Sequence, residues 1–227
     1  MKALKLNLFQ ETACYKKPFA FKIAETYPLP PYSSVSGMLH KILEAQEFIP
    51  MSISIQGDYE SILSNYQSMY FYKDKTTTQM PLNIHLLYNV NLIIHIKGSE
   101  EILNKIVDKI SSNNEFLSLG RREDLVRINN IKFVDVKEID LENDEDINYV
   151  KIKHPVYIPK SKLPCELKGI NYRLNWKYKV NSESKTREWD KIDVLYVDEI
   201  KGDEKDFINE GIVLLDDDEE DLVFFNI

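Results

Sequence analysis

The sequence predicts an α+β protein whose first part follows the order β-α-β-β-α-β and whose last part is rich in strands. Three observations support this prediction: stretches in which apolar and polar residues alternate, two segments with helical apolar spacing, and a serine placed to cap each helix. The chain has 227 residues, 43% of them hydrophobic and 29% charged. It is therefore long enough for one sizeable core, or for one core with a small appended domain.

Period-two alternation predicts the four strands of the first part. In the first of them the leucines share one face, while polar residues such as Lys5 share the other. The alternation of the second strand includes Met51, Ile53 and Ile55 and stops at Gly57-Asp58, and the third strand is the longest apolar alternation of this part. The predicted strands cover residues 2–9, 51–55, 86–96 and 131–136.

Two amphipathic helices separate these strands. One is predicted to begin with Ser34 as its N-cap, because apolar residues then recur at i, i+3, i+4, i+7 and i+8 from Val35 to Leu43. The other is capped by Ser99, with two glutamates in its first turn that favour a helix N-terminus. The resulting order is that of the ferredoxin-like, or RRM-type, domain, which we expect to cover residues 1–138.

One connection is too long for a minimal domain of this kind. A short hairpin should join the second and third strands, but residues 58–85 intervene. An aromatic, strand-prone run at 66–72, followed by Lys73 and Lys75, predicts a protruding β-hairpin. A lid that packs on its own core is the alternative.

Beyond the first part we expect an acidic linker at residues 139–150 and a small β-rich domain at residues 151–227. Residues 170–180 alternate without a break, which predicts one strand with an apolar face and a basic face. The acidic run at 216–221 lacks the glycine and the spacing of a calcium loop. It is predicted as a solvated turn or a surface that contacts another protein.

The net charge of −8 is distributed unevenly. Residues 151–191 contain 11 Lys and Arg against 4 Asp and Glu, whereas residues 192–227 contain 2 against 13. Electrostatic interactions act over about 8–10 Å in physiological salt, so a basic region beside acidic ones permits nucleic acid on one face. The acidic stretches can equally be solvated loops.

The sequence gives little indication of an enzyme, a cofactor or a membrane span. Its four histidines form no metal-binding pattern, and phosphate-loop and dinucleotide fingerprints do not occur. The two cysteines are far apart, which argues against a disulfide framework or a zinc site, and apolar runs stay short of about 18 residues. We expect a cytoplasmic protein without metal or cofactor.

Two segments have the composition of phosphate-binding loops. In residues 28–37, three prolines fix the direction in which the chain enters the first helix, and serines offer hydroxyls at its positively polarised end. Gly37 costs that helix about 1 kcal/mol relative to alanine, which indicates close approach by a ligand or tight packing on the sheet. In the second segment, Gly120-Arg121-Arg122, adjacent arginines cannot both face a core; an internal ion-pair cluster with Glu123 and Asp124 is the alternative.

A third segment, Tyr15-Lys16-Lys17, combines an aromatic ring with cations directly after the first strand. Such a combination can stack a base and hold a phosphate. An ordinary basic loop with a buried Phe19 explains the same residues.

Two segments, in this order along the chain, resemble the Cas five family of CRISPR-associated proteins, in the RAMP superfamily. They are Tyr27-Pro28-Leu29-Pro30-Pro31-Tyr32-Ser33-Ser34 with Gly37, and Leu119-Gly120-Arg121. The resemblance spans most of residues 1–135. It implies a non-catalytic subunit of a type I, I-B-like Cascade complex that binds and caps the 5′ handle of the crRNA. The RNA-binding residues it implies, together with the composition above, are Tyr15, Lys16, Lys17, Tyr32, Ser33, Ser34, Gly37, Lys73, Lys75, Gly120, Arg121 and Arg122.

The resemblance also implies partners. The hairpin would be a thumb that kinks the guide, and the C-terminal part would dock on the Cascade backbone subunit and the large subunit, reaching target DNA only through the complex. A minority branch of the family cleaves precursor crRNA with Tyr, Lys and His. Lys153 and His154 therefore leave a metal-independent endoribonuclease as the alternative, although His154 before Pro155 is also typical of a structural strand end. A scaffold that binds only protein is a third interpretation.

Overall fold

The computed structural model describes residues 1–18, 20, 22–113, 115–144, 147–198 and 207–227. The predicted α+β class is confirmed, since a large, mostly antiparallel sheet is accompanied by few helices. The helices are α1 (Tyr32–Ile42), α2 (Glu100–Ser111) and a 3-10 turn (Lys160–Lys162). The strands are β1 (Lys2–Ala13), β2 (Ile23–Ala24), β3 (Ser52–Asp58), β4 (Ser61–Tyr72), β5 (Thr77–Lys97), β6 (Leu117–Ser118), β7 (Leu125–Asp140), β8 (Val150–Lys151), β9 (Val156–Pro159), β10 (Ile170–Val180), β11 (Arg187–Val197), β12 (Phe207–Ile208) and β13 (Ile212–Asp216).

The four strands predicted for the first part correspond to β1, β3, β5 and β7. They lie side by side in the order β3-β5-β1-β7, and each neighbouring pair is antiparallel. The whole sheet continues this row as β10-β11-β9-β3-β5-β1-β7-β13, with β2 and β4 paired to β5 and β6 paired to β7. Two predictions refer in part to residues outside the described ranges: the burial of Phe19 in the basic loop, and residues 145–146 of the acidic linker.

The two helices lie on the leucine face of β1. Val35 and Leu39 of α1 and Ile106 of α2 are fully buried in the same core as Leu4 and Leu6. In α2, the hydroxyl of the N-cap Ser99 accepts the N–H of Ile102 at 3.4 Å, as predicted. In the described part of the chain, no helix combines the length and apolar character needed to cross a membrane.

The N-cap predicted for α1 is wrong. The helix begins three residues earlier, with Pro31 rather than Ser34 at the N-cap, in an extended conformation (φ −66°, ψ 153°), and no side chain caps it. The carbonyl of Pro31 accepts the backbone N–H of Ser34 at 2.9 Å, so Ser34 lies inside the first turn. Proline already has the φ that helix entry requires, which allows the helix to start before the first apolar repeat.

The predicted hairpin is confirmed. β4 pairs along its whole length with the first half of β5, from Ser61 opposite Tyr88 to Tyr72 opposite Thr77. Nearly every residue of β4 is exposed, so the hairpin projects from the sheet. Its turn is closed by backbone hydrogen bonds between Lys73 and Thr76.

The boundary expected at residue 150 does not separate two sheets. β9, β10 and β11 extend the large sheet beyond β3, and β13 extends its other edge beside β7. Tyr157 and Leu174 belong to the main core, because the apolar face of the C-terminal strands continues that of the first part. The expected linker is also anchored: β7 continues to Asp140, and Leu141 and Val150 are buried in a second core cluster.

The alternation predicted for residues 170–180 is interrupted. β10 has the predicted bounds, but its pairing with β11 shifts between Asn175 and Tyr178, so one extra residue is accommodated there. Such a β-bulge re-aims the side chains at and beyond it. The expected separation into an apolar and a basic face therefore fails after Asn175.

The acidic run at 216–221 is partly buried, which corrects the prediction of a solvated turn or docking surface. Asp216 and Asp221 are 2% and 1% exposed, and their carboxylates lie 2.8 and 2.7 Å from the ammonium group of Lys5, which is itself 1% exposed. Asp218 and Glu219 lie 3.2 and 3.1 Å from the same group. Burial of a lysine requires such compensation, so the polar face of β1 and the acidic run are complementary.

The residues after this run cover the same face of the sheet. Val223 and Phe225 pack on Ala3 and Val134, which point away from the helices. The two sheet faces are thus both buried around β1, one under the helices and the other under the C-terminal segment.

Candidate nucleic-acid interface

The predicted glycine-arginine motif lies in the loop between β6 and β7, residues 119–124, which we call the glycine loop. Gly120 has a φ of +108°, which residues with a side chain rarely adopt. A Cβ atom at this position would lie 2.9 Å from Oδ2 of Asp124 and 3.1 Å from the carbonyl oxygen of Cys14. Glycine therefore lets the loop lie directly against the end of β1.

Asp124 fastens the glycine loop to that strand. Its fully buried carboxylate accepts the backbone N–H groups of Cys14 at 2.9 Å and Arg121 at 2.8 Å. The side chain of Gln10 donates to the carbonyls of Leu119 at 2.9 Å and Asp124 at 3.2 Å. These bonds fix the loop before any ligand is present.

The two arginines of the loop differ in their environment. The guanidinium of Arg121 contacts Asp124 at 2.5 Å and Glu123 at 3.0 Å, and its side chain is 19% exposed. Burial lowers the pKa of Arg121, but hydrogen bonding to Asp124 outweighs this and raises the pKa above its usual value. The ion-pair alternative thus describes Arg121, whose charge is engaged internally. Arg122 is exposed and has no ion pair within the described residues, so its phosphate contact stays a prediction.

One cavity of about 250 Å³, which we call the loop–hairpin cavity, is lined by three segments. They are the glycine loop, the hairpin and the Tyr15-Lys16-Lys17 segment after β1. Lys16, Arg121 and Glu123 line the cavity. The middle of the hairpin, halfway between its first pair, Ser61 with Tyr88, and its last pair, Tyr72 with Thr77, contributes Gln67, Ser68, Met69, Leu82 and Ile84. The structure therefore brings together three segments that the sequence could only name separately.

Lys17, beside this cavity, is half-buried. Its ammonium group lies 3.5 Å from a carboxylate oxygen of Glu25 and 6.0 and 5.7 Å from the ring centroids of Tyr27 and Tyr172. These are cation–π distances, so the lysine is oriented by the aromatic rings below it. Lys16, in contrast, is exposed and has no ion pair within the described ranges.

Tyr15 and Tyr32, predicted as RNA contacts, are buried. Tyr15 is 1% exposed, and its hydroxyl donates to Oε1 of Gln10 at 2.6 Å. Tyr32 is 0% exposed and packs against the rings of Tyr157 and Trp176. Both side chains belong to the main core beneath the loops, so their rings are not accessible to a ligand.

The remaining residues of the proline-serine segment lie elsewhere. Ser33 and Gly37 line a second cavity of about 380 Å³ between α1, residues 45–48 and the β10–β11 hairpin, which we call the α1 cleft. A Cβ atom added at Gly37 would meet nothing within 4 Å, so tight packing is not the reason for this glycine. Ser34 is half-buried in the first helical turn and does not line the cleft.

The hairpin presents one face rich in tyrosine. Tyr66, Tyr70 and Tyr72 alternate along β4 on this face and are 77%, 50% and 82% exposed. Tyr70 and Tyr72 stack with ring centroids 6.4 Å apart. Lys73 and Lys75 lie exposed in the turn beyond them, as predicted. The hairpin thus combines aromatic rings with cations at its tip.

Lys153 and His154, the residues of the nuclease alternative, are engaged with carboxylates. Lys153 donates to the carbonyl of Glu219 and lies 3.8 Å from the carboxylate of Glu220. Nδ1 of His154 lies 3.9 Å from a carboxylate oxygen of Asp58. Among the described residues, no hydrogen bond links either side chain to a tyrosine.

Sequence reasoning missed the aromatic lining of the α1 cleft. These lining residues come from three segments that are distant along the chain. They are Phe48, then the consecutive Trp176, Lys177 and Tyr178, and Trp189. The alternation of β10 contained part of this signal, but it placed Lys177 on the opposite face from Trp176. Only the bulge after Asn175 allows three consecutive residues of one strand to line one cavity.

The fold and surface define an α+β protein in which cationic loops and a tyrosine-bearing hairpin surround one cavity. The chain belongs to the family described as CRISPR-associated protein (Cas_Cas5), whose model matches residues 3–188. The resemblance inferred from the two motifs is thereby confirmed, and it extends well beyond residue 135.

Two solved structures have a similar fold. One, described as a CRISPR RNA-guided surveillance complex, is 15% identical with a TM-score of 0.55, and the match covers 86% of this chain and 89% of that one. The other, a CRISPR protein from Archaeoglobus fulgidus, is 10% identical with a TM-score of 0.51, covering 100% of this chain and 99% of that one. No curated protein matches the chain by sequence.

Proposed function

We propose that this protein is a non-catalytic subunit of a type I CRISPR effector complex that binds and caps the 5′ handle of the crRNA. The observation that carries the proposal is the meeting of Lys16, the glycine loop and the middle of the hairpin at the loop–hairpin cavity. Membership in the CRISPR-associated family supports the biological setting. The order β3-β5-β1-β7 with two helices on one face supports a ferredoxin-like core for this subunit.

The handle's phosphates would contact Lys16, Arg122 and the exposed edge of the glycine loop. Arg121 holds that loop in place through Asp124 and leaves Arg122 as the accessible guanidinium. Single-stranded RNA is recognised by phosphate contacts together with stacking of splayed bases. The tyrosine face lies on the side of the hairpin opposite Gln67 and Met69 of the cavity wall, and would supply rings for bases that cross the hairpin. Lys73 and Lys75 would reach the guide at the hairpin tip.

The sheet itself is not the binding surface in this proposal. RRM-type domains stack bases on the exposed face of their sheet. Here the C-terminal segment covers that face through Val223, Phe225 and the Lys5 ion pairs. The loops and the hairpin therefore provide the RNA contacts, and exposed parts of the C-terminal region would dock on the backbone and large subunits.

Retention of labelled repeat RNA on a filter, in EDTA and at low salt, tests the proposal. Wild-type protein should retain the RNA without cutting it. The double variant Lys16→Ala/Arg122→Ala should bind about tenfold more weakly or worse, because two charge-assisted contacts are lost. Lys105→Ala removes an exposed lysine of α2 and should bind as the wild type does.

Three outcomes would contradict the proposal. A discrete cut in EDTA would favour the endoribonuclease, and the absence of retention at low salt would favour a protein-only scaffold. Equal weakening by Lys105→Ala and the double variant would show that net charge, rather than this surface, determines binding. Because neighbouring subunits can complete the handle site, the same assay is repeated with the assembled complex.

A further inference from the structure

The α1 cleft has a composition that the handle site does not explain. Its walls are aromatic on both sides: Phe48 stacks on His40 with centroids 5.5 Å apart and meets Trp176 edge-on at 6.0 Å. On the other side, Tyr178 and Trp189 are cross-strand partners with centroids 5.2 Å apart. Phe48 is 47% and Tyr178 45% exposed, so both rings are accessible from the cleft.

Cations are placed at the aromatic walls. The ammonium group of Lys177 lies 5.7 Å from the Phe48 ring centroid, and the guanidinium of Arg187 lies 4.4 Å from that of Tyr178. Lys177 also lies 3.9 Å from Asp190, an exposed pair of the kind that contributes little. Residues 151–191, which include β10 and β11, contain 11 Lys and Arg against 4 Asp and Glu. This local excess of positive charge favours a polyanion near the cleft.

The floor of the cleft is open. Gly37 faces it without a side chain, and no atom lies within 4 Å of the position that a Cβ would take. A glycine in a helix costs about 1 kcal/mol relative to alanine, and here no packing contact accounts for the loss. The cleft volume of about 380 Å³ falls within the roughly 300–1,000 Å³ of small-ligand sites.

We propose that the α1 cleft binds one nucleobase of single-stranded RNA, with the adjacent phosphate at Lys177. The base stacks against Phe48 or Trp189, because every nucleobase has a π-face and such stacking tolerates sequence variation. Ser33, Gln46 and Glu47 at the rim offer a hydroxyl, an amide and a carboxylate. Glu47 can accept a hydrogen bond from an exocyclic amino group of the base. The choice of RNA as the polymer rests on the proposed function.

Tryptophan fluorescence reports on this cleft directly, since Trp176 and Trp189 are the two tryptophans of the chain and both line it. The probe is hexaadenylate, a short single strand whose bases carry amino groups. We expect a saturable change in tryptophan emission. Inorganic triphosphate, which supplies charge without a base, should cause no such change.

Two variants test the cleft without disturbing the core. Gly37→Leu fills the open floor and should weaken hexaadenylate binding at least tenfold while keeping or raising the thermal unfolding midpoint. Phe48→Ala removes an exposed stacking wall and should weaken binding similarly. Lys179→Ala, which removes an exposed lysine of the same strand outside the cleft, should stay within twofold of the wild type.

The proposal fails if hexaadenylate causes no saturable change, if triphosphate causes the same change, or if folded Gly37→Leu protein binds as tightly as the wild type. It also fails if Gly37→Leu and Phe48→Ala abolish binding of a protein partner but leave hexaadenylate binding unchanged. Repeat RNA retained on a filter without a fluorescence response to hexaadenylate would overturn the cleft proposal alone. A cleft response without retention of repeat RNA would overturn the handle proposal alone.

Discussion

The ammonium group of Lys5 lies 2.7 Å from a carboxylate oxygen of Asp221, and both side chains are almost completely buried. The two residues are at opposite ends of the chain. Their ion pair, together with Asp216, joins the first strand of the sheet to the segment that covers its second face. The folded state therefore depends on this ion pair between the first strand and the C-terminal segment, because either partner alone would be a buried, unpaired charge.

Replacement of Lys5 by methionine should destabilise the protein by about 3–5 kcal/mol. The change leaves Asp216 and Asp221 buried without their central counter-charge, which is the costly way to break a buried pair. Chemical denaturation measures the loss of unfolding free energy. Lys2→Met, at an exposed position of the same strand, should change it by no more than about 0.5 kcal/mol. Equal stability of the Lys5 variant and the wild type would contradict the ion-pair account.

Stability should fall when the pH drops below about 4. Burial by itself would raise the pKa of Asp216, but hydrogen bonds from His95 and Lys5 outweigh it and hold the pKa well below the ordinary range. A carboxyl with a depressed pKa stabilises the fold above its unfolded pKa, and this contribution is lost as pH falls toward the folded pKa.

A variant at Asp216 separates the protonation of this carboxyl from general acid unfolding. Asp216→Asn should be less stable than the wild type at neutral pH but should lose less stability on acidification, as followed by the denaturation midpoint. Asp74→Asn, in the exposed hairpin turn, should keep the wild-type profile. Identical acid slopes for Asp216→Asn and the wild type would exclude Asp216 as the responsible group.

Two glycine-to-alanine changes should act in opposite directions. Gly120→Ala forces a Cβ toward Asp124 and Cys14 at a positive φ, and should cost about 1–3 kcal/mol. Gly37→Ala meets open space within a helix and should stabilise by up to about 1 kcal/mol. Thermal or chemical unfolding measures both. A destabilised Gly37→Ala protein would show that this helix position carries a constraint beyond steric space.

Arg122 and Arg121 should differ in the salt dependence of repeat-RNA binding. If Arg122 contacts one phosphate, Arg122→Ala lowers the slope of log affinity against log salt by about 0.7 for a single strand. Arg121→Ala removes a charge that is already paired with Asp124, so stability should fall while the slope should change less. A slope lowered by Arg121→Ala but not by Arg122→Ala would reverse these roles.

The tyrosine face of the hairpin should contribute to RNA binding through stacking. Tyr72→Ala, which removes the most exposed ring, should weaken repeat-RNA binding by about 1–3 kcal/mol if one base stacks there. Phe71→Ala changes a neighbouring aromatic residue on the other side of the strand, which it shares with Gln67 and Met69 of the cavity wall, and so reports on the second face of the hairpin. Binding that is insensitive to Tyr72 but sensitive to Phe71 would place the RNA on the opposite face.

Much of the architecture follows from local patterns. Alternation located β1, β3, β5, β7 and β10, and the long connection at 58–85 indicated the projecting hairpin. The cap of α2 was also predictable, because Ser99 precedes a helix with acidic residues in its first turn. The N-cap of α1 was not, since Pro31 starts the helix before the apolar repeat begins.

The candidate site was predictable only as a set of residue types. Lys16, Gly120 and Arg122 are exposed and stay predicted RNA contacts, whereas Tyr15 and Tyr32 are internal. Composition cannot distinguish a tyrosine that stacks a base from one that fills a core, because both uses favour the same ring. Arg121 likewise became internal only when folding placed it beside Asp124.

The sequence by itself determined the α+β class, the two helices, the exposed hairpin and the family, because each is encoded in short-range periodicity or in contiguous motifs. The tertiary structure alone decided which residues share a surface. Lys16 and the middle of the hairpin line one cavity, Lys177 and Trp176 line another because of a one-residue bulge, and Lys5 pairs with the C-terminal carboxylates. The physical reason is that these contacts join segments distant along the chain, whose proximity is set by strand order and register rather than by any local pattern.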